Sequence, residues 1–206
     1  MKIFLGVTGA SGCVIALRLA EVLNGFGHEV YSVVSENALV VADYECKNRA
    51  WFLDKIKNFS KVLYSEKDLH VDIASSSNAL DAYIIAPASI KTIAMIINGL
   101  ADNLIVRASL IGLRMKKPVV AVVREAPLGI VELKVLLNAA ELGISIVPAV
   151  IGFYSYPQSL RDVVDFIVGK VLDLLGIEHN LYRRWGGSRD PQIRDPCEYL
   201  YDSASS

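Results

Sequence analysis

The sequence lacks most of the features that commit a chain to a simple class. Its 206 residues hold three cysteines, Cys13, Cys46 and Cys197, widely spaced and without a CxxC pair. That pattern argues against a disulfide framework and a zinc site, and no metal is expected. Lysine and arginine nearly balance aspartate and glutamate, for a net charge of −1, so the basic footprint of a nucleic-acid binder is missing. Hydrophobic residues reach 53%, yet no run approaches the ~20 apolar residues of a bilayer span. The opening MKIFLGV carries neither a basic lead nor a cleavage site, which makes the cytoplasm the expected compartment. There is no Gly-Lys-Ser/Thr phosphate loop and no G-x-G-x-x-G fingerprint, which disfavours ATP and NAD. No internal repeat and no Pro- or Ser-rich linker divides the chain. A single domain over 1–186 with a polar, irregular tail over 187–206 is expected, Ser203–Ser206 being without fixed structure.

What is present is an alternation of short apolar runs and amphipathic stretches. Ile3–Val7, Val30–Val34, Val62–Tyr64, Ala82–Ala86, Val119–Val123 and Ile144–Val147 read as strands. Pro87 is taken to stop the fourth and Pro148 the sixth. Helical periodicity covers Ser11 to about Asn24, Glu36–Tyr44, Trp51–Phe59, Ser89–Asn98, Asp102–Leu113, Ile130–Leu142 and Leu160–Leu175. DIASSSN at Asp72–Asn78 reads as a polar loop. Strand–helix alternation throughout predicts an α/β fold, a mainly parallel sheet with helices on both faces. In such sheets ligands sit beyond the carboxyl ends of the strands. The 130–142 and 96–113 stretches carry more apolar residues than one buried face needs, which predicts self-association.

Four loops therefore matter. In GVTGASG, Gly6, Gly9 and Gly12 fall three apart. Gly9, Ala10, Ser11 and Gly12 let the backbone approach a phosphate at a helix N-terminus; the same turn also serves tight strand–helix packing. Ser35 follows the second strand. Ser89, Ile90, Lys91 and Thr92 follow the fourth, where Ser89 is a helix cap or a ligand hydroxyl. After the fifth strand, Arg124 and Glu125 stand side by side, suited to a phosphate and to proton transfer, or to a structural ion pair fixing the turn.

GVTGASG at 6–12, PASIKT at 87–92, ADNLIVRA at 101–108, VREAPL at 123–128 and GFYSYPQS at 152–159 occur in that order. Together they resemble the UbiX-type flavin prenyltransferase family, over Lys2 to about Gly186. The resemblance implies a three-layer Rossmann-like, flavodoxin-like fold that binds FMN. It implies transfer of a dimethylallyl group from dimethylallyl monophosphate to N5 and C6 of reduced FMN, without a metal. The product, prenylated FMN, would serve a UbiD-type decarboxylase, and the assembly would be a homo-oligomer, typically a dodecamer.

The resemblance also assigns residues. Gly9, Ala10, Ser11, Ser35, Ser89 to Thr92 and Arg124 match FMN contacts. Glu45 and Glu125 match two active-site acids, and Ser11 joins them as a catalytic candidate. Tyr154 and Lys170 match holders of the dimethylallyl phosphate, and Trp185 an aromatic residue over the prenyl site. Arg107 and Arg114 join Arg124 and Lys170 as cations for the departing phosphate. Family members often have Lys where Arg114 stands and Arg where Lys170 stands; these swaps bear on donor preference. Two other readings are a non-catalytic FMN carrier and a flavin-dependent cysteine-type decarboxylase. The latter group carries a PASANT-type segment and a catalytic His, whereas His28, His70 and His179 all lie away from the expected ligand loops.

Overall fold

A run such as Val119–Val123, apolar at every position, can bury both faces of a strand only inside a covered parallel sheet. The computed structural model describes residues 1–186, 193 and 195–201; the expected disorder of Ser203–Ser206 lies outside the described residues. Contacts divide the chain into two units, Met1–Ala149 and Val150–Ser206.

The first unit holds six parallel strands: β1 (Lys2–Val7), β2 (Glu29–Val34), β3 (Val62–Ser65), β4 (Ala82–Ala88), β5 (Val119–Val123) and β6 (Ile144–Pro148), in the order β3-β2-β1-β4-β5-β6. Helices α1 (Cys13–Gly25), α2 (Glu36–Glu45) and α3 (Arg49–Phe59) pack together on one face. Helices α4 (Ile90–Ile97), α5 (Leu104–Arg114) and α6 (Ile130–Glu141) cover the other. The pleat sorts side chains accordingly. Phe4, Tyr31, Val33, Tyr83, Ile85, Val119, Ala121 and Val123 share a core with Ile93, Ile105, Ile111 and Ala139. Their strand neighbours Ile3, Leu5, Ile84 and Val122 are equally buried and point the opposite way.

Helix starts follow capping chemistry. Ser35, Asn48, Ser89 and Asn103 each accept a backbone N–H of the first turn, which satisfies donors the helix leaves open. Helix α1 begins at Cys13, two residues later than the periodicity suggests, because Gly12 at its N-cap has φ 117°, a conformation glycine adopts freely.

Several expectations change. Pro148 does not follow the end of the sixth strand but is its last residue, paired with Val123. β4 does not stop at Pro87 but runs to Ala88 through a cis Ala86–Pro87 bond, with a register shift against β5 between Ile85 and Ala88. A proline is tolerated at such an irregularity because no ladder hydrogen bond is asked of it. DIASSSN is two 3₁₀ turns, Asp72–Ala74 and Ser76–Asn78. Most apolar residues of α5 are buried, with Leu110 and Leu113 only partly so and Leu100 exposed ahead of the helix, so of the two segments expected to have surplus apolar surface α6 shows more of it. There Ile130, Val131, Leu133 and Leu137 are exposed.

The second unit carries a 3₁₀ turn at Phe153–Ser155, helix α7 (Leu160–Leu174) and a short helix α8 (Pro196–Tyr201) in the segment expected to be irregular. Ser159 caps α7. Phe166 of α7 meets Tyr154 and Tyr182 edge-on, at 5.7 and 5.1 Å between centroids.

Candidate active site

The order of the sheet reverses between β1 and β4, and the crevice beyond these strands is where doubly wound folds bind ligands. Thr8 ties the two sides together. Its hydroxyl donates to the Pro87 carbonyl (2.8 Å) and accepts from the Ser89 amide (2.7 Å), and it is buried. Sequence reasoning did not single out Thr8; its position in the first loop is the only local signal. A Cβ placed on Gly12 would lie 3.6 Å from Pro87 Cβ, so the first loop also touches the end of β4. The resulting turn holds Gly9 against α2, where a Cβ would come within 2.5 Å of Asn37 Cβ.

Glu45, the last residue of α2, reaches the start of α1. Its carboxylate accepts from the amides of Gly12 (2.8 Å) and Cys13 (2.9 Å) and from the Ser11 hydroxyl. Burial would raise this carboxyl, but the donors from Ser11, Gly12 and Cys13 outweigh it and hold it below its ordinary value. Ser11 and Glu45 are thus joined, as two candidates the sequence named separately. The adjoining Cys13 thiol is pushed up to about 12, by burial and then by Glu45, so it stays protonated and is no nucleophile.

The remaining loop residues divide by role. The Ser35 hydroxyl accepts from Ala38 (3.1 Å), and Ser89 accepts from Thr92 while its hydroxyl lies 3.0 Å from the Thr92 hydroxyl. These hydroxyls are helix caps in this state, with lone pairs left for a second partner. Ile90 packs on the core and Lys91 is exposed. Ala88 pairs with Val123, so Arg124 leaves β5 beside Ser89 at the same sheet edge. Arg124 Nε is buried and has no hydrogen-bond partner among the described residues. An unmet buried donor on a cation costs free energy that a bound acceptor would recover. Glu125 is exposed, and no ion pair joins it to Arg124 among the described residues.

Arg107 and Arg114 lie elsewhere on the first unit. Arg107 Nε donates to the Ala74 carbonyl (2.8 Å), and Arg114 occupies the last turn of α5. They line a hollow of about 280 Å³ with Ser75 and Ser76, and no residue of Thr8–Gly12, Ser35 or Ser89–Thr92 lines it.

In the second unit Lys170 donates to the hydroxyls of Tyr182 (2.8 Å) and Tyr154. These bonds, the Tyr182 one foremost, raise its affinity for the proton. Trp185 is 82% exposed and rests edge-on against Tyr154, 5.3 Å between centroids. His179, placed in no ligand loop by the sequence, is buried and bonded to Asp173 (3.2 Å).

The Flavoprotein family model matches residues 1–172. The chain is 40% identical over 188 residues to the flavin prenyltransferase UbiX of Saccharolobus solfataricus, covering 90% of this chain and 92% of that one. Among solved structures it resembles a dodecameric FMN-dependent UbiX-like decarboxylase from Escherichia coli, with TM-score 0.85 and 32% identity over 91% of this chain and 100% of the other. It also resembles AnUbiX (PadA1) in complex with FMN and dimethylallyl pyrophosphate, with TM-score 0.86 and 29% identity over 91% of this chain and 98% of the other.

Proposed function

Because this chain belongs to the UbiX flavin prenyltransferases of the Flavoprotein family, we propose that it transfers a dimethylallyl group from dimethylallyl monophosphate to N5 and C6 of reduced FMN, making prenylated FMN. The observation that carries the reading is the buried Arg124 Nε, without a partner among the described residues, at the edge where Thr8–Gly12, Ser35 and Ser89–Thr92 also end. A lone buried cationic donor among small residues and hydroxyls fits a flavin mononucleotide. Gly9, Ala10, Ser11, Ser35, Ser89, Ile90, Lys91, Thr92 and Arg124 would hold it, Ile90 and Ala10 through their backbone.

Reduced FMN, when bound, supplies the electron-rich ring that receives the prenyl group. The chain's own residues do the rest. Glu45 takes or returns a proton through Ser11, to which it is hydrogen-bonded. Glu125, exposed at the turn after Arg124, or the released phosphate takes the proton lost on ring closure. Lys170 and Tyr154 would bind the donor's phosphate, and Arg124 is a further cation for the departing anion; Arg107 and Arg114, which line the separate hollow beside Ser75 and Ser76, are left out of that role. The ring face of Trp185 is suited to a developing carbocation.

Self-association belongs to the same reading. The exposed apolar residues of α6 support a homo-oligomer, and a dodecamer is the size proposed. Among the described residues no helix is long and apolar enough to cross a membrane. We place the work in the cytoplasm, beside a UbiD-type decarboxylase that takes the product. The deciding experiment is an anaerobic incubation of the protein with reduced FMN and dimethylallyl monophosphate, followed by the mass of the released flavin. A flavin heavier by one dimethylallyl unit is expected. Unmodified FMN with both the mono- and the diphosphate would refute the transferase and leave a carrier.

A further inference from the structure

Lys170 is held far more firmly than a lysine on an exposed helix face needs to be. Its Nζ donates to the Tyr182 hydroxyl at 2.8 Å and to Tyr154. It also sits 4.6 Å from the centre of the Tyr182 ring and 5.3 Å from that of Phe166. The Tyr182 hydroxyl donates to Asp173, so its oxygen is left to accept from Lys170. Asp173 is itself anchored, by Arg184 Nη2 at 2.7 Å and His179 Nε2 at 3.2 Å. Gly169 makes room for this: a Cβ there would lie 2.5 Å from Tyr182 Cδ1 and 2.8 Å from His179 Cε1. An ammonium has three N–H donors; the Tyr182 hydroxyl takes one, and Asp173 Oδ2 lies 4.0 Å from the same nitrogen.

We infer that Tyr182, backed by Asp173, is the positioning residue that fixes the Lys170 ammonium and leaves it an N–H to give to a phosphomonoester. This rests on the reading that Lys170 holds the donor's phosphate. A lysine stem is flexible, and ordering it before the ligand arrives removes that cost from binding. The consequence lies in donor affinity, not in FMN affinity.

Steady-state kinetics with dimethylallyl monophosphate on Tyr182→Phe, Lys170→Ala and the double variant tests the inference. Tyr182→Phe keeps the ring and deletes the hydroxyl. Donor KM is expected to rise about tenfold, with kcat within about twofold and FMN affinity unchanged. Lys170→Ala raises KM at least as far, and the double variant no further, since Tyr182 acts through Lys170. Asp173→Asn, close in shape, raises KM in the same direction and supplies the answer if Tyr182→Phe folds poorly. Additive effects in the double variant, or an unchanged KM in both Tyr182→Phe and Asp173→Asn, overturn the tether and leave the donor assignment standing. An unchanged KM in Lys170→Ala overturns the donor assignment and the tether together.

Discussion

Adding one methyl group at Gly9 tests whether the first loop is as tight as its contacts imply. Non-bonded carbons rest about 3.5–4.0 Å apart, whereas a Cβ on Gly9 would stand 2.5 Å from Asn37 Cβ, 3.2 Å from its carbonyl carbon and 3.4 Å from its Cα. All three atoms belong to, or hang directly from, the backbone of the first turn of α2. That turn is pinned by the Ser35 cap, so no side-chain rotation relieves the overlap. Overpacking of this kind costs about 1–3 kcal/mol, and the stiffer alanine returns only about 0.4–1 kcal/mol through the unfolded chain. The net loss is therefore about 1–2 kcal/mol, or roughly 2–8 °C in Tm for a chain of this size. Displacing the loop also weakens FMN binding by about tenfold or more. Gly25→Ala is the counterpart. Nothing lies within 4 Å of its Cβ position at the end of α1, and helix propensity there favours alanine by up to about 1 kcal/mol. Calorimetry without flavin and a fluorescence titration with FMN read both variants. A Gly9→Ala protein that melts and binds like the parent, or a Gly25→Ala protein that falls as far, would refute the reasoning.

Two further outcomes follow from the same contacts. Glu45 is held below its ordinary value in the folded state, so its contribution is complete above the unfolded glutamate pKa of about 4.3 and is lost as pH falls through the lower folded value. Glu45→Gln should therefore melt below the parent at neutral pH and converge with it in acid, and a gap that stays constant from pH 7 to pH 3 would sink the idea. Thr8→Val removes the hydroxyl that accepts from the Ser89 amide and strands that donor, at about 1–2 kcal/mol; an unchanged urea midpoint would show that water replaces it.

The sheet was the readable part. Val119–Val123 declares itself because both its faces are apolar, and all six strands fall where short apolar runs lie between helical periods. Pro87 misleads, because the rule that proline ends a strand fails at an irregularity, which depends on the register of β5. Helix α8 carries a start signal in the sequence. Asp195-Pro196 followed by Glu198 is a cap with proline at the first helical position, and Asp195 does accept from Cys197 and Glu198 at 2.9 Å. The Ser11–Glu45 bond and the Thr8 link escape any local pattern, since they join residues 34 and 79 positions apart. Lys170 and Asp173 are an i,i+3 pair that spacing could propose. Tyr182 is invisible to spacing, because it reaches α7 only after the chain reverses at Gly176, where φ is 65°.

The link between Thr8 and Pro87 also dates the site within the life of the chain. β1 can pair with β2 early, but its other edge waits for Ala82 and its successors. At translation rates of about 5–20 residues per second, that edge stays open for roughly 4–16 s, an apolar strand with unpaired backbone groups beside it. Until Ser89 has emerged and folded back onto Thr8, no fragment holds both sides of the proposed flavin cradle. The proposed FMN site is therefore complete only once Ala88 and Ser89 have been made, and a truncation ending ahead of Ala88 is expected to lose FMN binding however well its glycine loop is preserved.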